Sequence, residues 1–229
     1  MTAAAALVVL YGGTFDPVHN GHLAIARAAH QALGSVVRMM PAADPPHRPP
    51  PGASAAQRAD MLDLAVAGKP GLCVDRRELE RDGPSYTVLT LRELREADPD
   101  VPVALLLGAD SFLGLAEWRE WRALFDMVHF VVAERPGGDW RPDALPGPLA
   151  AQVRGRRVDD PAALAAAPAG RVLGLDQPLH DVSATGLRAR IADGRPWRHL
   201  VPEAVAGYIG RHGLYRESGH DVAATTSSL

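Results

Sequence analysis

The chain has 229 residues, of which 47% are hydrophobic and 22% are charged, with a formal net charge of −3 at pH 7. This composition is typical of an ordinary globular protein and lacks the basic excess of a dedicated nucleic-acid-binding protein, so we expect no nucleic-acid partner. The single cysteine, Cys73, excludes an intrachain disulfide framework and a multi-cysteine zinc site, and it indicates the reducing cytoplasm.

Short apolar runs alternate with helical patterns along the chain. In chain order, the pattern predicts strand 6–12, helix 21–34, strand 35–42, helix 54–68, strand 71–79, helix 85–97, strand 101–110, helix 117–125, strand 127–137, helix 148–156, strand 170–179 and helices 183–194 and 202–213. This alternation favours an α/β fold, in which a doubly wound, mostly parallel sheet carries helices on both faces. No apolar run approaches the roughly 20 residues that cross a bilayer, so we expect no membrane association.

The pattern predicts one domain over residues 1–215. Within it, the stretch 136–170 is rich in Pro, Gly, Ala and Arg, and we predict a variable surface connection with one helix there. Residues 216–229 contain almost nothing to bury, which predicts a disordered tail. The oligomeric state stays open at this stage, and a homo-oligomer is one of the options.

The stretch "GGTFDPVHNGH" directly follows the first predicted strand. Gly12 and Gly13 have no side chains, so their backbone amides can approach a ligand closely. His19 and His22 stand at the start of the next helix, where backbone N–H groups and the helix dipole favour an anion such as phosphate. Two alternatives remain: one histidine caps the helix while the other is a surface residue, or the pair binds zinc with a third ligand.

The only lysine, Lys69, is followed by Pro70, which excludes the Gly-Lys-Ser/Thr sequence of a Walker A loop. Phosphate binding must therefore use arginine, histidine and backbone amides. His47 and Arg48 interrupt the proline-rich "DPPHRPPPG" after the second strand and place donors on a stiff loop. The prolines alone are equally typical of a rigid spacer.

Two further polar clusters stand where predicted strands give way to helices, which is where open α/β sheets bind ligands. Asp110 follows the apolar run "VALLL", and "SATGLRAR" follows the last strand. In structural terms, either Asp110 or Ser111 would cap one helix and Ser183 another, with Arg188 and Arg190 on a solvated face. In functional terms, the helix start at Ser183 offers a hydroxyl, backbone amides and an arginine to a phosphate chain.

The segments "GGTFDPVHNGH", "PPHR", "PSYTVLTL", "GADS", "EW", "ERPG", "VSATGLRARI" and "HGLY" occur together in one order. In this set the chain resembles the bacterial nicotinate-nucleotide adenylyltransferase family, in the nucleotidyltransferase superfamily with the His-x-Gly-His motif. The resemblance runs from about residue 7 to residue 215 and fails in 136–170 and in the tail. It implies a Rossmann-like fold, a cytoplasmic enzyme, and transfer of the adenylyl group of ATP to nicotinate mononucleotide.

The resemblance also implies roles for individual residues. The implied catalytic residues, which would contact the reacting phosphates, are His19, His22, Arg48 and Arg188. ATP binding falls to Gly12, Gly13, Thr14, Phe15, Gly108, Asp110, Ser183 and Thr185. Binding of nicotinate mononucleotide falls to His47, Thr87, Trp118, Arg119 and Arg135. Backbone N–H groups near Trp118 and Arg119, at the start of predicted helix 117–125, would receive the nicotinate carboxylate.

The implied cofactor is Mg²⁺, which would arrive with ATP because this ion usually keeps waters and binds substrate phosphates; no metal site built from the protein alone is expected. One alternative is another nucleotidyltransferase of the superfamily, with pantetheine phosphate or nicotinamide mononucleotide as acceptor. A second alternative is a nucleotide sensor without turnover, which would have a damaged His-x-Gly-His motif or an added effector domain.

Overall fold

The computed structural model describes residues 6–43, 51–133, 145–177 and 182–216. The strands are β1 (Val8–Gly13), β2 (Val37–Pro41), β3 (Leu72–Val74), β4 (Val103–Gly108), β5 (His129–Ala133), β6 (Arg157–Val158) and β7 (Val172–Leu175). The helices are α1 (Asn20–Leu33), α2 (Ala55–Val66), α3 (Arg77–Glu80), α4 (Thr87–Ala97), α5 (Ala109–Leu113), α6 (Trp121–Met127), α7 (Gly147–Val153), α8 (Ala184–Ala192) and α9 (Glu203–Arg211). Among the described helices, none is both long and apolar enough to cross a membrane.

Within the described ranges, the strands form one seven-stranded sheet in the order β3-β2-β1-β4-β5-β7-β6. Every strand pair is parallel; in the centre, Val9 of β1 lies opposite Val37 of β2 on one side and Ala104 of β4 on the other. After β1, the chain places β2 and β3 on one side of that strand, and it then crosses to place β4 on the other side of β1. This reversal between β1 and β4 is the topological switch point of a doubly wound sheet, and it confirms the predicted fold class.

Helices cover both faces of the sheet because side chains alternate along each strand. Val9 and Tyr11 of β1 belong to a buried cluster with α1, α2, α8 and α9, whereas Leu10 belongs to a second cluster with α4, α5, α6 and α7. The central strands are therefore apolar on both faces, as the run "VALLL" predicted.

Local signals set several helix ends as the sequence predicted. Ser54 accepts a hydrogen bond from the Gln57 amide while the Gln57 side chain accepts one from the Ser54 amide, so α2 begins with a capping box. The helix α1 ends at Gly34, whose φ of 62° lies in the left-handed region that favours glycine.

Two element predictions need correction. The predicted strand 71–79 ends at Val74, because the Asp75 carboxylate accepts hydrogen bonds from the Arg77 amide and side chain and turns the chain into α3. The predicted helix 117–125 begins only at Trp121, because Glu120 adopts a φ of 53° in the left-handed region after a 3₁₀ turn.

The stretch 136–170 contains the predicted helix, α7, and also the unpredicted edge strand β6. Its residues 136–144 lie outside the described part of the chain, as do residues 217–229 of the predicted tail. The single domain over 1–215 and the disordered tail remain predictions.

Candidate active site

A cleft of about 330 Å³ opens at the carboxyl ends of β2, β1 and β4, beside the switch point of the sheet. Its lining residues are Gly12, Gly13, Thr14, Met40, Ala42, Glu78, Ser85, Tyr86, Thr87, Leu105, Leu107, Asp110, Ser111, Gly114, Glu117, Trp118 and Arg119. The cleft thus brings together seven residues that the sequence assigned to the two substrates: Gly12, Gly13, Thr14, Thr87, Asp110, Trp118 and Arg119. Gly108, which the sequence also assigned to ATP, is the last residue of β4 and directly precedes α5, which contains Asp110.

Gly12, Gly13 and Thr14 line one side of the cleft and begin the α1 segment, which we define as residues 12–22. The lining does not include six other predicted site residues: Phe15, His19, His22, Ser183, Thr185 and Arg188. His19 is the N-cap of α1: its Nδ1 accepts a hydrogen bond from the His22 amide at 3.4 Å, and the His22 Nδ1 accepts one from the His19 amide at 3.3 Å. The two rings stack with centroids 3.6 Å apart. Because each Nδ1 is an acceptor, each neutral ring carries its hydrogen on Nε2, where it can act as a donor. Capping and a donor role are therefore compatible.

The Phe15 ring packs between Gly13, which lines the cleft, and the His22 ring. Its φ is 50°, its side chain is buried, and its ring meets the His22 ring edge-on at 5.0 Å. A Cβ at Gly13 would lie 3.0 Å from the Phe15 ring, which is too close for an ordinary contact. A larger residue at position 13 would thus force this ring to shift, so the ring favours glycine there in addition to any ligand that approaches the amide.

The middle glycine of the His-x-Gly-His motif serves helix packing. A Cβ at Gly21 would lie 3.0 Å from Val182 and 3.1 Å from the His19 ring. The absence of a side chain at residue 21 therefore lets the starts of α1 and α8 approach each other without displacing Val182 or the His19 ring. Ser183 caps α8 by accepting a hydrogen bond from the Gly186 amide at 3.1 Å, and the Arg188 guanidinium donates to the Thr185 hydroxyl at 3.4 Å.

The sequence analysis missed a buried network behind the α1 segment. The Asp16 carboxylate, which is 4% exposed, accepts hydrogen bonds from the Gly52 amide at 2.8 Å and from the Tyr215 hydroxyl at 2.8 Å. Arg188 donates to the Asp16 carbonyl at 2.7 Å. The fully buried Arg58 donates to the carbonyls of Thr14, Ala43 and Ala53. The quoted motifs "TFDP" and "HGLY" contain Asp16 and Tyr215, but no local pattern reveals that the two residues meet.

On the other side of the cleft lies the α4 wall, which we define as Glu78, residues 85–87, Trp118 and Arg119. The Arg119 guanidinium lies 4.9 Å from the centroid of the Tyr86 ring, so a cation–π contact joins the two parts of this wall. The Trp118 amide donates to the Leu115 carbonyl at 3.0 Å. The expectation that Trp118 and Arg119 stand at the start of a helix is wrong, because α6 begins at Trp121. The Trp118 amide is already bonded, so the Arg119 amide is the remaining candidate donor to the nicotinate carboxylate.

Glu78 is a buried carboxylate that no sequence motif indicated. It is 5% exposed, and its Oε1 accepts a hydrogen bond from the Thr90 hydroxyl at 2.8 Å. Burial raises the pKa of Glu78, while hydrogen bonds from Thr90 and Ser85 oppose that rise. The Ser85 hydroxyl in turn accepts from the Ala43 amide at 2.9 Å, so Glu78 ties the end of β2 to the start of α4.

Three predicted site residues, His47, Arg48 and Arg135, lie outside the described residues. Within the described part of the chain, no group of three or more His, Cys, Asp or Glu side chains is arranged to hold a metal ion. The His19–His22 pair thus has no third protein ligand of these types there, which removes support for the zinc alternative in that part.

Comparisons with known proteins agree with this geometry. Residues 10–190 match the family model described as cytidylyltransferase-like. A relative from Stenotrophomonas maltophilia, named a probable nicotinate-nucleotide adenylyltransferase, is 57% identical over 92% of this chain and 97% of its own length. A relative of the same name from Xylella fastidiosa is 48% identical over 91% of this chain and 96% of its own length.

The fold is also found in solved structures. A nicotinic acid mononucleotide adenylyltransferase from Plasmodium falciparum, complexed with NaAD, superimposes with a TM-score of 0.68 at 14% identity, over 91% of this chain and 97% of that chain. The same protein complexed with APC gives a TM-score of 0.66. Because two named relatives share about half of their residues with almost the whole chain, the chain belongs to the nicotinate-nucleotide adenylyltransferases of the cytidylyltransferase-like family.

Proposed function

We propose that the chain transfers the adenylyl group of ATP to nicotinate mononucleotide and releases pyrophosphate, giving deamido-NAD (nicotinate adenine dinucleotide) in NAD biosynthesis. The observation that carries the proposal is the cleft beside the switch point of the sheet: residues 12–14, which lead to the histidine-bearing start of α1, line it together with an aromatic and cationic α4 wall. Family membership supports the same reaction.

The chemistry asks for orientation and charge neutralisation. An oxygen of the mononucleotide phosphate bonds to the α-phosphorus of ATP, while the bond from that phosphorus to the departing pyrophosphate breaks. The attacking phosphate is already ionised, so no general base is needed. Holding the two substrates in line lowers the barrier, and donors aimed at the developing negative charge lower it further.

Under this proposal, the α1 segment serves the phosphates. His19 and His22 donate from Nε2, with His22 stabilising the transition state, and Arg188 and Arg48 hold phosphate oxygens. The residues proposed to bind ATP are Gly12, Gly13, Thr14, Phe15, Gly108, Asp110, Ser183 and Thr185. The backbone N–H groups at the start of α8 favour the same anion.

The α4 wall would receive the other substrate. The residues proposed to bind nicotinate mononucleotide are His47, Thr87, Trp118, Arg119 and Arg135. Two of them, Thr87 and Arg119, come from separate stretches of the chain and line one cleft, where the Arg119 guanidinium lies over the Tyr86 ring. A flat ring between Tyr86 and Trp118 would be held by aromatic contacts, while the Arg119 amide would donate to the nicotinate carboxylate.

Mg²⁺ fits this site as an ion that arrives with ATP. It would neutralise phosphate charge during transfer. Asp110, in the first turn of α5 at the cleft, is one carboxylate that would help to place it, and Mg²⁺ is commonly held by one or two carboxylates together with substrate phosphates. Cytoplasmic location, a possible homo-oligomer and the absence of a nucleic-acid partner remain predictions from the sequence.

The test is steady-state turnover with ATP and magnesium against a panel of acceptors: nicotinate mononucleotide, nicotinamide mononucleotide and pantetheine phosphate. We expect pyrophosphate release with nicotinate mononucleotide and a kcat/KM roughly 10²-fold or more above that for the amide, because an NH₂ facing a donor leaves buried groups unpaired. Turnover only with pantetheine phosphate would overturn the proposal. Equal values for the two mononucleotides would overturn only the carboxylate preference.

A further inference from the structure

The Asp16 carboxylate is surrounded by donors from distant parts of the chain. Its Oδ1 accepts from the Ala53 amide at 3.1 Å and the Tyr215 hydroxyl at 2.8 Å, and its Oδ2 accepts from the Gly52 amide at 2.8 Å. The Arg188 Nη1 lies 3.6 Å from Oδ2. A carboxylate that is 4% exposed and bonded in this way is a fixed structural anion.

Arg188 is held by this one residue at two points. The Nη1 that faces the Asp16 carboxylate also donates to the Asp16 carbonyl at 2.7 Å. About a third of the Arg188 side chain, 35%, is exposed. Asp16 makes the shortest contact that orients this guanidinium, since the bond from Nη2 to the Thr185 hydroxyl is longer, at 3.4 Å, and the exposed part remains accessible to a phosphate group.

Tyr215 adopts a strained backbone conformation and is tightly packed. Its φ is 63°, in the left-handed region that side-chain-bearing residues rarely adopt. Its ring packs so closely on Gly52 that a Cβ there would lie 3.0 Å away. Burial and the charge of Asp16 raise the pKa of Tyr215, so the hydroxyl keeps its proton and stays a donor.

The second cation near Asp16 cannot replace this hydroxyl. Arg58 is 1% exposed and donates to three backbone carbonyls, which fixes its position. If the Tyr215 hydroxyl is removed, Asp16 Oδ1 loses a donor, and the partly exposed Arg188, whose Nη1 already lies 3.6 Å from Oδ2, is the nearby cation that can shift toward the carboxylate. The guanidinium is then drawn toward the carboxylate and away from the phosphates.

We propose that Tyr215 is a positioning residue, which orients Arg188 for the ATP phosphates through Asp16. The inference rests on the proposed function, because Arg188 contacts phosphate only if the cleft binds ATP. It gives the "HGLY" segment a role in the reaction although Tyr215 does not line the cleft.

The experiment is a double-mutant cycle with Tyr215→Phe, Arg188→Ala and the two combined. The Phe ring keeps the contact with Gly52 and removes only the hydroxyl. We expect Tyr215→Phe to lower kcat/KM for ATP about 5- to 20-fold, with KM for nicotinate mononucleotide within about twofold. In the Arg188→Ala background, the same change should alter kcat/KM for ATP less than about twofold, because coupled residues are not additive.

Tyr208→Phe is the matched control, since the Tyr208 hydroxyl donates to the Asp60 carboxylate at 3.1 Å on the surface. We expect it to leave both kinetic constants unchanged. Equal losses from Tyr215→Phe with and without Arg188, no loss at all, or the same loss in Tyr208→Phe would overturn the proposal. Wild-type protein that fails to turn over both substrates contradicts the proposed function instead, and the ATP dissociation constants of the same variants, measured by calorimetry, then test the inference separately.

Discussion

The two sides of the cleft are built in different ways. The α1 segment is one continuous run of 11 residues, and its functional groups contact one another: His19 and His22 bond reciprocally, and Phe15 packs on His22. The α4 wall is assembled from three separate stretches, which meet through the bonds of Glu78 and the Arg119–Tyr86 contact.

This difference in construction suits two different tasks, binding of phosphates and choice of the acceptor substrate. A short rigid segment suits the phosphates, whose geometry is the same in every substrate of such a reaction. An assembled wall suits the choice of acceptor, because any one of its pieces can change without disturbing the phosphates. Substitutions in the α1 segment should therefore reduce the rate of chemistry, whereas substitutions in the α4 wall should mainly change acceptor binding.

The largest effect is expected at His22. His22→Ala should reduce kcat about 10²-fold or more with a modest change in KM, because it removes a donor that acts on developing charge. His212→Ala is the control, since His212 is an exposed residue after α9. His30 is less suitable, because its Nδ1 donates a hydrogen bond to the Ser35 carbonyl at 2.8 Å and its ring packs on Gly71. Near-normal kcat in folded His22→Ala protein would contradict the role.

A pair of glycine variants tests the rigidity of the α1 segment. Gly13→Ala would place its Cβ 3.0 Å from the Phe15 ring, whereas Gly12→Ala meets only the flexible Met40 side chain at 3.8 Å. We expect Gly13→Ala to lower the free energy of unfolding by about 1–3 kcal/mol, as overpacking does, and Gly12→Ala to change it by less than about 0.5 kcal/mol. Urea denaturation measures both, and equal changes would show that the ring yields easily.

Arg119 tests the α4 wall. Arg119→Ala removes the cation–π contact with Tyr86 but keeps the backbone amide, so KM for nicotinate mononucleotide should rise about three- to fivefold with little change in kcat. The preference for nicotinate over nicotinamide should remain. Arg122→Ala, which loses a similar contact with Trp121 outside the cleft, should leave KM within about twofold. A loss of preference in Arg119→Ala would mean that the guanidinium, not the amide, selects the carboxylate.

The smallest effect concerns pH and Glu78. Because burial raises the pKa of this carboxyl above its ordinary value, the folded protein binds its proton more tightly than the unfolded chain does. The resulting stabilisation is present at low pH and is lost as the pH rises through the folded-state pKa. The free energy of unfolding of the wild type, relative to that of Glu78→Gln, should therefore fall as the pH rises above 4.5, the ordinary pKa of a glutamate carboxyl. A constant difference over that range would contradict the assignment.

The contrast between the two sides also explains what the sequence could predict. The parallel sheet and the α1 segment follow from hydrophobic periodicity and from a motif in which all contacts lie within a few residues. Trp118 was placed at the start of a helix because the pattern 117–125 is helical, and the left-handed Glu120 has no sequence signal of its own. The buried network of Asp16, Arg58 and Tyr215 could not be predicted from the sequence, because residues that bond to each other in it are up to 199 positions apart.

The bond between Tyr215 and Asp16 has a consequence for synthesis on the ribosome. The two residues are separated by 199 positions, so at typical elongation rates roughly 10–40 s pass between their incorporation. During that interval β1 can pair with β2 and then with β4, but the Asp16 carboxylate lacks its last donor. A nascent chain therefore acquires its sheet before it completes the side of the cleft that we propose to bind phosphate, and stalled or shortened translation products should be folded in part while remaining poor catalysts.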